Sequence, residues 1–308
     1  MASRPELTVV APCFREGPNV PHFVEIVSAI LDEHCSSWEI VLVDDGSPDD
    51  TWIYISEAAK RLPGQVRGLR LSRNFGKESA LVAGLDAARG RAVVTIDADL
   101  QHPPSAIPEM IEHWRQGAQV VHGVKMNRPG QGWVSRTLSR VFNDLFTRMT
   151  SVDLNSATDF KLLDRRALEG LQKLNEVNVF YRGTASWIGF RQQVVRFEVS
   201  ARAHGSSAYS FPRLFRLALS ALTSFTPAPL HLVTFSGVAF GLFAVVLGIQ
   251  TFIRFLLGDA VPGFTTTILL SLVLGSLVLT GLGVIGEYLA RIHDEVKGRP
   301  RYLLSEET

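Results

Sequence analysis

Two uncharged apolar runs near the carboxyl end, Leu232–Ile253 and Phe264–Ile285, restrict the fold of this chain more than any other feature. Each is about 22 residues long, and at about 1.5 Å per residue a helix of that length spans about 33 Å, enough to cross the hydrocarbon core of a bilayer. Two helices buried in a soluble core are the alternative, but soluble helices seldom run this far without a charge. The short GDAVPG connection predicts a transmembrane hairpin, and Gly237 with Gly241 forms a GxxxG that would allow close helix contact. Arg213 and Arg216 precede the first run, while Arg291, Lys297, Arg299 and Arg301 follow the second, so the positive-inside bias places both termini in the cytoplasm. Just upstream, FPRLFRLALSALTSF alternates apolar and basic positions at helical spacing. That pattern suits an interfacial helix lying on a membrane, and equally a surface helix of the preceding domain. The resulting division is a cytoplasmic domain over 1–210, an interfacial segment over 211–229, a hairpin over 230–290 and a cytoplasmic tail over 291–308.

The hairpin accounts for the apolar balance of the 308 residues, of which 46% are hydrophobic and 20% charged, with a mean hydropathy of +0.15. A net charge of +1 gives no reason to expect a nucleic-acid partner. Cys13 and Cys35 form neither a disulfide framework nor a metal-ligand spacing and fit a reducing compartment. The amino-terminal MASRPELTVV lacks the apolar stretch of a cleavable signal.

The first 125 residues alternate strand-like runs (LTVVAPCF, WEIVLVDDGS, VRGLRLS, RAVVTIDADL and AQVVHGVK) with helical patterns over Val20–Leu31, Asp49–Arg61 and Glu78–Ala88. The strands are apolar on both faces, as in a sheet covered by helices on each side. This predicts an α/β fold with a mostly parallel sheet, whose ligands collect beyond the carboxyl ends of the strands.

The chemistry gathers at those ends. VLVDDGS places Asp44 and Asp45 after the second strand, and VVTIDADL places Asp97 and Asp99 after the fourth. Two aspartates two apart at a strand end can turn into one crevice and hold Mg²⁺ or Mn²⁺, the remaining positions going to water and diphosphate oxygens. No GxGxxG follows the first strand, and no GxxxxGK[ST] occurs, so hydride-transfer and P-loop enzymes are disfavoured.

APCFREGPNV, EIVLVDDGSPDDT, LSRNFGKESALVAGLDAARG and VVTIDADLQHPP, in this order, resemble glycosyltransferase family 2 with its GT-A nucleotide-sugar (Rossmann-like) fold. TDFKLLDRRAL, FYRGTASWIGF, RAHGSSAYS, the two apolar runs and GEYLARIHDEVKGRPRYL resemble the polyisoprenyl-phosphate glycosyltransferases of that family, bacterial relatives of dolichol-phosphate mannose synthase. The resemblance implies an inverting transfer of a sugar from a nucleotide diphosphate, preferably a UDP-hexose such as UDP-glucose, to a polyprenyl phosphate at the cytoplasmic membrane face. It implies that Pro12, Phe14 and Glu16 border the nucleotide, that Asp44 reads the base, that Asp45 shapes the pocket and that Lys77 supports the nucleotide side. Asp97 and Asp99 would hold the metal, with Gln101 completing the coordination. Lys125, Arg136 and Ser139 would meet the acceptor phosphate, and Arg202 would lie near the diphosphate or that phosphate. Asp159 would position sugar or acceptor or serve as a base, with a helix cap as its structural alternative. Relatives with this hairpin can assemble as tetramers, so a homo-oligomer is expected. The chain departs from the pattern at Ala208, where relatives usually carry a lysine. A lipid-hydroxyl acceptor such as diacylglycerol, and a catalytically weak scaffold of the same fold, are the alternatives.

Overall fold

The computed structural model describes residues 4–125, 158–174, 181–197, 228–257 and 263–308. They form two units: one comprises 1–207 together with 299–308, the other 208–298.

The first unit is built on an eight-stranded sheet in the order β7-β5-β6-β4-β1-β2-β3-β8. Its strands are β1 Leu7–Cys13, β2 Trp38–Asp44, β3 Val66–Leu71, β4 Ala92–Thr95, β5 Val120–Lys125, β6 Lys161–Asp164, β7 Gln192–Phe197 and β8 Leu304–Glu307. Every residue of β1, β2 and β4 is buried, as their continuous apolar runs require of central strands covered on both faces. Helices α1 Asn19–His34, α2 Thr51–Arg61, α3 Lys77–Ala87, α4 Ile107–Arg115, α5 Arg165–Gln172 and α6 Tyr181–Trp187 belong to the same unit. Two clusters fill the core, one on each side of the sheet. Phe23, Val27, Leu31, Ile55 and Met110 meet Val9, Ile40 and Leu42 in one, and Ala80, Leu81, Leu85 and Leu168 meet Val10, Val41 and Val43 in the other. Alternate residues of β1 and β2 thus serve opposite faces, as the pleat dictates.

The sheet is more mixed than the sequence pattern implies. β1 pairs in parallel with β2 and β4, and β3 with β2, but β6 runs antiparallel to both β4 and β5. The register pairs Thr95 with Lys161, so the approach to β6 lies beside the exit from β4. The β1–β4 pairing stops at Val10–Thr95, two residues before Pro12, which has no N–H to give to a ladder. The residues that follow β1 and β4 beyond that point carry the candidate site.

The segment expected as a tail over 291–308 carries regular structure. A helix over Phe264–Lys297, here α8, runs into it, and Leu304–Glu307 then joins the sheet as β8, antiparallel to β3. Gly298 ends the helix in the left-handed conformation (φ 57°) that glycine adopts without a Cβ penalty.

The second unit contains α7 Ala228–Leu256 and α8 Phe264–Lys297. Both are long and apolar enough to cross a membrane, with windows Val233–Arg254 and Val273–Lys297. Close approach within the pair occurs at Gly281, where a Cβ would stand 3.0 Å from Val233 Cγ1. Among the described residues nothing lies within 4 Å of a Cβ built on Gly237 or Gly241, so none of them packs against the GxxxG. The proposed interfacial helix over 211–225 lies outside the described residues.

Candidate active site

The exits of β1 and β2 are tied to each other by backbone and hydroxyl contacts. Asp45 N donates to Cys13 O at 2.9 Å, Arg15 N to Ser47 Oγ at 3.0 Å, and Glu16 N to Thr51 Oγ1 at 3.1 Å. Arg15 occupies positive φ (58°), as does Leu100 (57°) directly after Asp99. Non-glycine residues in this region cost energy and concentrate at functional sites. Both mark the sharp turns by which β1 and β4 leave the sheet.

Asp44 is fully buried, with Oδ1 accepting from Ser47 N at 2.9 Å. Asp45 lies against the loop before α3, its carboxylate accepting from Phe75 N at 2.8 Å and Gly76 N at 3.0 Å. That loop can approach only because Gly46 has φ +63° and no side chain; a Cβ would stand 2.4 Å from Arg73 C. Burial pushes both carboxyls above the ordinary aspartate value, against their hydrogen bonds to backbone. Glu16 is raised as well, by burial first and then by the charges of Asp99, Asp97 and Asp49, despite its bond to Asn19. The Cys13 thiol is pushed up strongly by burial and by Asp44, Glu16 and Asp97, which makes it a packing residue and no nucleophile.

Asp97 and Asp159 meet across the β4–β6 boundary. Lys77 Nζ, from the first turn of α3, lies 2.6 Å from Asp97 Oδ1, 2.9 Å from Asp97 Oδ2 and 2.6 Å from Asp159 Oδ2. Burial lowers the lysine's proton affinity, but the two carboxylates outweigh it and hold the ammonium above its ordinary value. Asp159 is further fixed through its carbonyl, which accepts from Thr95 Oγ1 at 2.5 Å, and Thr95 also meets the Tyr181 hydroxyl at 2.9 Å. Asp159 does not cap the following helix: that role falls to Asp164, whose carboxylate accepts from Arg166 N at 2.9 Å. Asp99 Oδ1 accepts from the backbone N of Gln101 at 3.0 Å.

The sequence-expected residues Pro12, Phe14, Glu16, Asp44, Asp45, Lys77, Asp97, Asp99, Gln101 and Asp159 therefore sit at the ends of strands, or on the loops, that open on one edge of the sheet. Lys77 stands between two acids, a placement its reading as a nucleotide-side support did not anticipate. Lys125 ends β5, paired with Phe197 of β7 at the same edge. Arg136, Ser139, Arg202 and Ala208 lie outside the described residues. Sequence reasoning missed His102, buried with Nδ1 3.6 Å from Asp97 Oδ2 and its ring 5.6 Å from those of Phe160 and Phe197. Its place in DLQHPP, three residues after the second aspartate, was the available signal.

A doubly covered sheet whose first, second and fourth strands release acids into one crevice defines the GT-A class of nucleotide-sugar glycosyltransferases. Residues 8–175 match glycosyl transferase family 2, and the chain belongs to that family. An uncharacterized glycosyltransferase of Synechocystis sp. is 36% identical over 98% of this chain and 95% of its own length. The SfII prophage-derived bactoprenol glucosyl transferase of Shigella flexneri is 36% identical over 97% of each chain. Among solved structures, glucosyl-3-phosphoglycerate synthase from Mycobacterium tuberculosis, in complex with Mn²⁺, UDP and glucosyl-3-phosphoglycerate, matches with a TM-score of 0.50 and 20% identity, covering 72% of this chain and 80% of that one. That likeness is one of fold.

Proposed function

We propose that this protein transfers a hexose from a UDP-hexose such as UDP-glucose to a polyprenyl phosphate, with inversion, at the cytoplasmic face of a membrane. The observation that carries the reading is the meeting of Asp97 with Asp159 beside the buried pair Asp44–Asp45 at one sheet edge. Similarity over nearly the whole chain to bactoprenol glucosyl transferases supports the lipid acceptor.

In this reading Asp44 accepts from the base, Pro12, Phe14 and Glu16 line the nucleotide, and Asp45 keeps the Phe75–Gly76 loop against the pocket. The donor set fits a divalent cation: Asp97 and Asp99 offer hard oxygens that suit Mg²⁺ or Mn²⁺ over softer ions, and Gln101 stands beside them. When bound, the cation would neutralise charge on the departing diphosphate. Lys77, which contacts both Asp97 and Asp159, would hold these two acids beside that cation. A phosphate monoester is largely ionised near neutral pH, with a second pKa of about 6. Its oxygen can therefore attack the anomeric carbon without prior deprotonation, and Asp159 serves chiefly to orient acceptor and sugar. Lys125, Arg136 and Arg202 would supply the cationic surroundings of the two phosphates, and the Ser139 hydroxyl a hydrogen bond to one of them.

The helices α7 and α8 would form the membrane hairpin, with both termini cytoplasmic, and the protein would assemble as a homo-oligomer. A site beside the interface reduces the search for a lipid headgroup to two dimensions. Purified protein with UDP-glucose, Mn²⁺ and polyprenyl phosphate should yield a lipid-phosphate-linked glucose. A neutral glycolipid formed only with diacylglycerol would instead identify a hydroxyl acceptor.

A further inference from the structure

Asp44, Arg70 and Glu306 stand in one row across three strands. The register pairs Asp44 of β2 with Arg70 of β3, and Arg70 with Glu306 of β8. Glu306 Oε1 lies 2.7 Å from Arg70 Nη1, and its Oε2 accepts from Trp52 Nε1 at 3.0 Å. The guanidinium stands 5.9 Å from the Trp52 ring centroid, and its Nε lies 3.4 Å from Asp44 Oδ2. Asp44 Oδ2 is buried and, apart from the Arg70 ion pair, accepts no hydrogen bond among the described residues, so it keeps acceptor capacity for a ligand. The next residue, Glu307, points to the other face of the strand, as successive strand residues do. It grips Arg67 at 2.9 Å, and Arg67 continues to the buried Glu39 at 3.5 Å, away from Asp44.

Arg70 is one-third exposed, and a long side chain held by a single weak contact would sample several rotamers. Glu306 and Trp52 fix its outer end, which leaves Nε directed at Asp44. We propose that the carboxyl-terminal strand is part of the donor site, with Glu306 a positioning residue that holds Arg70 beside Asp44 and so keeps that carboxylate aligned for the nucleotide base. The inference rests on the reading of Asp44 as a base contact. It gives the return of the chain to the sheet a purpose beyond covering the β3 edge: nucleotide affinity depends on the last residues of the chain.

The test uses the full-length protein in detergent, titrated with UDP in the presence of Mn²⁺ by calorimetry. Glu306→Gln should weaken UDP binding by about 3- to 10-fold, the range expected for losing one partly exposed charged contact. Glu307→Gln should stay within about 2-fold of wild type. Arg70→Met should weaken binding at least as much as Glu306→Gln, and adding Glu306→Gln to Arg70→Met should change nothing further, because the effect passes through the arginine. Donor KM should rise with kcat nearly constant, while the two glutamate variants melt at similar temperatures. Equal UDP affinity in the two glutamate variants overturns the proposal and leaves the glycosyltransferase reading intact. Failure of the wild type to bind UDP overturns both.

Discussion

Lys77 Nζ lies 2.6 Å from Asp159 Oδ2, an ammonium closed against a carboxylate that is only 4% exposed. The same nitrogen also holds both oxygens of Asp97. One lysine therefore faces two acids brought together from the exit of β4 and the approach to β6, and removing it takes the ammonium away from a buried carboxylate. Lys77→Met should lower metal-free stability by about 1–3 kcal/mol, after allowing for solvent around the half-exposed lysine. Melting in EDTA and then in Mn²⁺ measures this. The ion should recover more stability in the variant than in the wild type, because it fills the place of the lost cation.

Asp159 and Asp164 flank the same short strand but do different work. Asp159→Asn should reduce kcat by about 100-fold or more while donor KM changes little, as expected when a reacting group loses its orienting carboxylate. Asp164→Ala, which removes the cap of α5, should cost about 1 kcal/mol of stability and leave kcat unchanged. Steady-state kinetics with a thermal melt separates the two.

The acids of the donor crevice oppose folding at neutral pH. Burial raises Glu16, Asp44 and Asp45, so as pH rises the unfolded chain gives up these protons before the folded one. Stability from these groups therefore falls as pH climbs from the ordinary carboxylate range through their raised folded values. Glu16→Gln, which removes one such charge, should raise Tm by about 1–3 °C at pH 7.5 and weaken UDP binding in Mn²⁺. In the wild type, UDP affinity should start to drop at a higher pH than ordinary carboxylates would dictate.

Gly46 tests how far the DDG turn depends on a missing side chain. Gly46→Ala combines an unfavourable φ with backbone overlap at Arg73, and should cost about 2–4 kcal/mol while displacing the loop that Asp45 binds. Gly76→Ala shares the positive φ but meets nothing within 4 Å, so its cost should be about 1–2 kcal/mol. Comparing the two melts separates steric overlap from backbone strain.

The central strands were legible because continuous apolar runs leave few other folds, and β1, β2 and β3 start at the expected residues and end within three of the expected ends. Helix ends shifted by up to three residues, since caps such as Asp50 and Gly76 give no side-chain hydrogen bond to mark them. The acids after β2 and β4 were legible for the same reason as the strands. The closure of Asp97 on Asp159 was not, because it follows from the antiparallel register of β6, a long-range pairing that local pattern does not encode. β8 escaped notice because LSEE has no apolar alternation. Its pairing is carried by Glu306 and Glu307 against Arg70 and Arg67, a complementarity visible only once the two strands are side by side.

The most direct measurement is sugar transfer by the Asp97→Asn Asp99→Asn double variant, purified in detergent with UDP-glucose, polyprenyl phosphate and Mn²⁺. The expected result is a loss of at least about 1,000-fold in kcat/KM, together with loss of Mn²⁺-dependent UDP binding. Transfer within about 3-fold of wild type, or UDP binding equally tight with and without the ion, would contradict a metal-assisted diphosphate site at the end of β4.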